Sequence, residues 1–268
     1  LIFNKFLDVL QKKGVKEIIL IAQDTTSYGH DLRKKDGLTH LLEMILKTVP
    51  DVPWIRLMYT FPGFVTESLI QLMASEPQLL PYLDIPLQHA DKGILRAMQR
   101  PHHIMQVRDT LADIRQKVAN VALRSTFIVG YPGEDERAFQ NLINFIKEIE
   151  FDHLGAFLYS FEPGTPAEPL GDPIPEHVKM ERLEVLMQVQ ADISLKRNQS
   201  FVGKTLDILI EGVDEENQIS IGRSYRDAPE IDGLVVAEGI APIGEMIPVK
   251  INSAITHDLI GKMVEARP

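Results

Sequence analysis

The sequence predicts an α/β fold: a partial barrel of parallel strands, each followed by a helix, with a small all-β domain at its C-terminal side. Three observations predict it. Five short apolar runs, at residues 18–22, 54–59, 83–87, 125–129 and 154–159, alternate with stretches of helical period. That alternation is the pattern of a parallel sheet with helical crossovers. Each run ends abruptly in polar residues with Gly or Pro, as buried strands do when they open into working loops. Past Gly203 the texture changes to short strands at regular spacing, broken by Gly and Asp.

The elements follow in order. Residues 3–13 place Phe3, Phe6, Leu7 and Leu10 on one helical face, and Gly14 stops the helix. Residues 38–49, 66–73, 104–118 and 135–149 repeat that period. Thr66 with Glu67 opens one of these helices, and Glu134-Asp135-Glu136 opens another with charge suited to the helix dipole. No Gly-x-Gly-x-x-Gly follows any strand, which argues against a dinucleotide fold. A long helix spans residues 176–200 with Pro175 at its first turn. Met180, Leu183, Met187, Gln190 and Ile193 approximate its apolar stripe. Residues 205–211, 218–225, 234–237, 246–251 and 259–264 are the short strands of the β unit. The domains therefore divide as 1–200 and 201–268.

Composition excludes several classes. The chain has 268 residues and no cysteine, so it carries no disulfide, no thiolate-bound zinc and no cysteine-ligated iron–sulfur cluster of its own. No apolar run approaches the roughly 20 residues that span a bilayer. The formal net charge is −10. Residues 200–268 hold 6 basic and 12 acidic groups. That balance disfavours broad phosphate-backbone binding and suits a basic partner.

Barrels of parallel strands carry chemistry at the carboxyl ends of their strands. The candidates there are Gln23, Asp24, Thr25 and Ser27 after the first run, Tyr59 after the second, Gln88 and His89 after the third, Gly130 after the fourth and Tyr159 after the fifth. By residue chemistry this mouth binds a polar small molecule. His89 alone is more often a packed, hydrogen-bonded histidine than a ligand or base, Arg124 reads also as the partner of an acid, and Gly130 as a turn residue. No serine nucleophile with a base, no Walker loop and no His-Glu-x-x-His helix is present.

Together these segments resemble a family. Ala22-Gln23-Asp24-Thr25-Thr26-Ser27-Tyr28-Gly29, Ile85-Pro86-Leu87-Gln88-His89, Val129-Gly130-Tyr131-Pro132-Gly133-Glu134 and Tyr159-Ser160 with Gly164-Thr165-Pro166-Ala167 look like the radical S-adenosylmethionine methylthiotransferases. The C-terminal β unit looks like the OB-like TRAM domain of that family. The tRNA-modifying branch usually has Gly-Gln-Asn-Val where this chain has Ala22-Gln23-Asp24-Thr25. The Gln-Asp-Thr-Thr-Ser-Tyr-Gly run, and Asp227-Ala228-Pro229-Glu230-Ile231-Asp232-Gly233, are similar to the branch that methylthiolates the β-carbon of an aspartate in a small-subunit ribosomal protein.

The resemblance implies a cytoplasmic enzyme using S-adenosylmethionine and two 4Fe-4S clusters. One cluster generates a 5′-deoxyadenosyl radical that abstracts hydrogen from the target carbon, and the other carries the sulfur. It also implies that the cluster cysteines lie upstream of Leu1. The chain is then the C-terminal part of the enzyme, inactive alone. On the same resemblance Gln23 and Asp24 meet the methionine moiety of the cofactor. Gln88 and His89 face its ribose or methionine side, Gly130 and Tyr131 flank the adenine, and Arg124 meets the carboxylate. The implied partner is a basic ribosomal protein. Two alternatives stay open: a tRNA methylthiotransferase, and a non-catalytic binding module. In the module, Arg223 and Arg226 contact RNA phosphate, or Asp227, Glu230 and Asp232 meet basic side chains of a protein.

Overall fold

The computed structural model describes residues 2–265. Helix α1 (Ile2–Lys12) leads into strand β1 (Glu17–Leu20), followed by α2 (Gly37–Thr48), β2 (Trp54–Leu57), α3 (Glu67–Ser75) and β3 (Tyr82–Asp84). Two helices, α4 (Lys92–Ala97) and α5 (Ile104–Lys117), then precede β4 (Ala122–Val129), α6 (Glu136–Ile149) and β5 (His153–Leu158). β1 pairs with β2, β3 with β4 and β4 with β5, all parallel. Across the seam between β2 and β3, Leu80 N donates to Ile55 O at 2.9 Å and Thr60 N to Asp84 O at 2.8 Å. The wall is thus an open barrel in the order 1-2-3-4-5. α4 is the one α-helix that periodicity did not reveal. Six residues are too few to show a period, and the visible signal is its cap, where Asp91 Oδ1 accepts from Gly93 N at 2.7 Å and Ile94 N at 3.2 Å.

Alternation along the strands sorts side chains between two faces. Ile55, Leu57, Leu83, Leu123, Phe127 and Val129 point outward and pack with the helices in the main core. Trp54, Tyr82 and Ala122 face the other way, into the barrel. α1 differs from the simple amphipathic expectation. Leu7 is buried, but Phe3 and Phe6 stay more than two-fifths exposed. With Leu10, they line an open apolar groove of about 450 Å³ beside β1.

Helix α7 (Glu176–Gln199) runs back along the barrel. Its buried residues are Lys179, Arg182, Leu186, Gln190, Ile193, Ser194 and Asn198, whereas Met180 is half exposed. Of the expected stripe, Leu183 and Met187 pack partly buried on the main core and Gln190 and Ile193 are buried, so Met180 alone is corrected. Much of the inward face is polar because it serves buried carboxylates and carbonyls, and hydropathy does not mark those positions. Among the described residues no helix is long and apolar enough to cross a membrane.

Strands β6 (Thr205–Asp214), β7 (Ile219–Arg223), β8 (Val235–Glu238), β9 (Met246–Ala254) and β10 (Leu259–Met263) close into a barrel in the order β10-β8-β7-β6-β9. Closure removes the edges that five short strands would otherwise expose. The loop 224–234, between β7 and β8, seals the N-terminal end of the large barrel. Its Ala228 and the β6 residue Leu209 pack on Trp54, Met58, Tyr82 and Ala122. Ion pairs surround that apolar layer. Arg223 Nη2 lies 2.7 Å from Glu17 Oε2, and Arg226 Nη2 lies 3.5 Å from Asp152 Oδ1. His153 Nε2 lies 3.4 Å from Asp227 Oδ1.

This arrangement corrects the binding-module expectation for four residues. Arg223, Arg226 and Asp227 are each at most 3 % exposed, and the Asp232 side chain is 1 % exposed. All four are committed to contacts within the chain and cannot meet RNA phosphate or a protein partner. Of the five residues named, Glu230 alone is exposed.

Candidate functional site

The carboxyl ends of the strands surround a cavity of about 370 Å³, within the usual size range for small-molecule sites. Gln23 enters after β1, Tyr59, Thr60 and Phe61 after β2, and Pro86 and Gln88 after β3. Thr126 of β4, Phe157 of β5, Arg100, Arg124 and the β-domain residue Ile231 complete it. Chain order and parallel pairing bring these ends together, because each crossover returns the chain to the same end of the sheet.

Two lining residues hold unusual backbone. Tyr59 has φ +55° and Gln88 has φ +72°, in the left-handed region that non-glycine residues seldom adopt. Gln88 is held there by its neighbours: its N donates to Thr126 O and its O accepts from Ile128 N, both at 2.8 Å. Such strain persists where surrounding structure over-determines it and concentrates at functional sites. Among the described residues neither Gln23 nor Gln88 engages its side-chain amide in a hydrogen bond, so both are open to a ligand.

The floor is an ion cluster. Arg124 Nη1 donates to Asp84 Oδ1 at 2.9 Å, and Arg124 Nε donates to Asp232 Oδ1 at 3.2 Å. Tyr82 OH donates to Asp232 Oδ2 at 2.7 Å. Burial pushes the Asp84 carboxyl up, against the pull of Arg124. Burial, with the Asp232 charge beside it, holds the Tyr82 hydroxyl far above the usual phenol range. Burial also works against the Arg124 charge, but Asp84, Tyr82 and Asp232 outweigh it and hold the guanidinium firmly protonated.

Of the seven expected cofactor residues, Gln23, Gln88 and Arg124 line this cavity, and Asp24, His89, Gly130 and Tyr131 do not. Asp24 builds the loop instead. Its Oδ1 accepts from Thr26 N at 2.9 Å and Ser27 N at 3.2 Å, capping a short 3-10 turn, Thr25–Ser27. Thr26 Oγ1 then accepts from Phe61 N at 3.0 Å, tying the two strand ends together. His89 is completely buried. Its Nδ1 accepts from Asp91 N at 2.9 Å, which puts the proton on Nε2, 3.3 Å from Glu134 Oε2 but not aligned for a hydrogen bond. Glu134 also receives Gly130 N and Arg182 Nη1, each at 2.9 Å. Gly130, at φ +78°, lies against Lys179: a Cβ there would meet Lys179 Cγ at 2.4 Å. Tyr131 OH donates to Ala97 O at 3.1 Å, and its ring meets Tyr159 edge-on. These three residues pack α6 and α7 behind the mouth, an environment that local sequence does not encode.

Residues that sequence reasoning missed are Thr60, Phe61, Pro86, Arg100, Thr126, Phe157 and Ile231. Arg100 follows the unexpected helix α4, and Ile231 comes from the other domain, so neither had a local signal. As to cofactors, the cavity's amides, aromatic rings and guanidinium fit a polar, partly aromatic molecule such as S-adenosylmethionine. An iron–sulfur cluster does not fit this chain's own donors. The chain has no cysteine, and no group of three or more His, Asp or Glu among the described residues is placed to hold a metal.

A family model described as the radical SAM superfamily matches residues 2–146, and the TRAM domain model matches residues 202–264. The chain is 46 % identical over 260 residues to the ribosomal protein uS12 methylthiotransferase RimO of Roseiflexus sp. (strain RS-1), covering 96 % of this chain and 55 % of that protein. It is 48 % identical over 252 residues to the protein of the same name from Chloroflexus aurantiacus, covering 93 % and 55 %. The Aquifex aeolicus counterpart is 45 % identical, covering 96 % and 60 %. The chain thus spans little more than half the length of these curated relatives. Among solved structures, coproporphyrinogen III oxidase (HemN) from Escherichia coli aligns with a TM-score of 0.50 at 14 % identity, over 81 % of this chain and 51 % of that one. That likeness concerns the fold alone. With a parallel-strand cavity and a closed β-barrel already in place, the match over residues 2–146 assigns the family: the chain belongs to the radical SAM superfamily and carries a TRAM domain.

Proposed function

We propose that this chain is the C-terminal part of a radical S-adenosylmethionine methylthiotransferase that modifies an aspartate β-carbon in a basic small-subunit ribosomal protein. The observation that carries the reading is the strand-end cavity, with two unclaimed amides, one of them held on strained backbone, in a chain 43–48 % identical to uS12 methylthiotransferases. When bound, S-adenosylmethionine and its reduced cluster supply hydrogen-abstracting radical chemistry and a methyl group. The chain's own residues bind and orient. Gln23 and Gln88 offer both donors and acceptors to polar groups, and Phe61 and Phe157 cover apolar surface and exclude water. Asp24 acts by shaping the loop that presents Gln23. Because no thiolate is available here, the chain by itself produces no 5′-deoxyadenosine in this reading.

The surface of the TRAM domain supports a basic protein partner over RNA. Both of its arginines at 223 and 226 are buried in the domain interface, while Asp207, Glu211, Glu215, Glu216 and Glu230 are exposed. Its exposed cations among the described residues are Lys204, Lys250 and Lys262, and Lys262 is paired with Glu238. Complementary charge of this kind steers association with a basic protein.

The test uses the full-length protein with reconstituted clusters, offered the ribosomal protein and, separately, tRNA. A mass gain of one methylthio group on the target aspartate is the expected result. Modification of tRNA instead, or of neither, counts against the reading.

A further inference from the structure

We propose that the free edge of β5 receives an extended segment of the basic target protein as an added strand, which carries the target side chain into the barrel cavity. The identity of that partner rests on the function proposed above. β5 pairs with β4 alone, and no described strand lies on its other side. None of its six residues is buried, whereas five of the eight in β4 are. Pairing parity fixes which groups face the open side. Gln88 N donates to Thr126 O and Gln88 O accepts from Ile128 N, so the even-numbered residues of β4 serve its β3 side. The odd-numbered ones serve β5: Val129 O accepts from Tyr159 N at 2.8 Å, with Val129 beside Leu158 in the register. Backbone groups along a strand point alternately to its two sides. Residues 155, 157 and 159 therefore turn to β4, and Leu154, Ala156 and Leu158 turn their N–H and C=O groups to the open edge. Such a row is a template for another strand, and proteins usually blunt it with Lys, Pro or a bulge. β5, His-Leu-Gly-Ala-Phe-Leu, has no lysine or proline, and its register has no bulge.

A trough runs beside this edge. A Cβ at Gly155 would lie 3.5 Å from Arg124 Nη2 and 3.9 Å from the Phe157 ring, so Gly155 and Phe157 face the barrel interior. Phe157 lines the cavity at the mouth, and Gly155 with His153 lines a second cavity of about 180 Å³ that reaches the TRAM loop. The two cavities share Arg124 and Ile231. A strand added to β5 alternates its side chains between trough and solvent. One side chain then enters the mouth beside Phe157, and the one two positions along lies over Gly155, where β5 itself has no side chain. Phe157 and Ile231, 60 % and 48 % exposed, offer apolar cover to the incoming chain. Charge selects a basic segment. Glu162 follows the carboxyl end of β5, Glu230 precedes Ile231, and both are exposed without an ion pair among the described residues.

The test uses the full-length protein with reconstituted clusters and a basic peptide spanning the target aspartate of the ribosomal protein. The peptide is made unmodified and in two N-methylated forms, one methylated at alternate backbone amides and the other at the amides between. Only one of those sets can point at the β5 edge. The expected result is that one form binds about tenfold or more weakly, having lost hydrogen bonds, while the other stays within about twofold of the unmodified peptide. Ala156→Pro removes one outward N–H and spares the bonds to β4, as proline does on an edge strand. It should weaken the unmodified peptide by about tenfold and leave S-adenosylmethionine affinity within about twofold. If that variant melts below wild type, the paired peptides decide alone. Equal effects of the two methylated forms overturn strand addition, and methylthiolation of the unmodified peptide then shows that the proposed function stands without it. A peptide that neither binds nor gains a methylthio group defeats the proposed function, and the partner assigned to the edge falls with it.

Discussion

Asp232 of the TRAM domain accepts a hydrogen bond from Arg124 of β4 at 3.2 Å, across 108 residues of sequence. The same carboxylate receives Tyr82 OH on its other oxygen. One side chain of the small barrel therefore holds the floor of the cavity in the large one. The TRAM domain is not an appendage here. It closes the barrel at the end opposite the mouth, and its Ile231 reaches the cavity.

Removing that carboxylate should be costly. Asp232→Ala leaves Tyr82 OH without its acceptor and Arg124 with one counter-ion instead of two. Breaking a buried pair by deleting one partner costs about 3–5 kcal/mol. Urea denaturation of Asp232→Ala should show a loss of that size. Adding Arg124→Met should not recover it, because Asp84 is then left buried without its guanidinium partner. A loss under about 1 kcal/mol would mean that the pair is solvated.

Gly130 should not tolerate a side chain. Gly130→Ala meets a left-handed backbone cost of about 1–2 kcal/mol and a 2.4 Å approach to Lys179 Cγ. Lys179 cannot swing aside easily, since its Nζ donates to Asp172 Oδ2 at 2.6 Å and Tyr159 O at 3.2 Å. The expected total is about 2–4 kcal/mol, with overpacking supplying the rest. A double variant with Lys179→Ala should relieve the clash while leaving the backbone cost, and thermal melts of the pair separate the two.

Gln88→Gly should move stability and ligand affinity in opposite directions. Glycine adopts φ +72° without strain, so the melting temperature should rise, by about 1 kcal/mol of stability. The lost amide should weaken S-adenosylmethionine binding in the full-length protein. Unchanged binding would remove Gln88 from the site.

Asp152 should dominate acid sensitivity. Burial works against its charge, but Arg197, Arg226 and Arg115 outweigh it and hold the carboxyl below its ordinary range. Arg197 Nε is 2.9 Å away and Leu123 N donates at 3.0 Å. A folded-state pKa below the unfolded one gives stability that is present above the unfolded value and is lost as pH falls through the folded value. Asp84 has the opposite sign, since its raised pKa makes the folded state take up a proton more readily. Denaturation midpoints between neutral pH and about pH 2 should show Asp152→Asn less stable at neutrality and flatter toward acid than wild type. An unaltered acid slope would assign the sensitivity elsewhere.

What the sequence determined by itself was the succession of elements. The five parallel strands of the large barrel and the five of the small one follow from period-two runs, helix periodicity and turn residues, all local signals that a single chain segment carries. The strand-end position of Gln23, Tyr59 and Gln88 follows from the same reasoning, because parallel crossovers gather carboxyl ends at one mouth. Only the tertiary structure decided which charges are solvated. Arg223, Arg226, Asp227 and Asp232 look like a surface loop in sequence, yet they lie under the large barrel against Glu17, Asp152, His153 and Arg124. His89 stands at a strand end, and of its two readings the structure takes the packed one, against Glu134. Arg100 has no local mark at all. The physical reason is common to these cases. A charged residue is buried or exposed according to partners tens to hundreds of residues away, and desolvation and pairing are properties of the assembled site rather than of any segment.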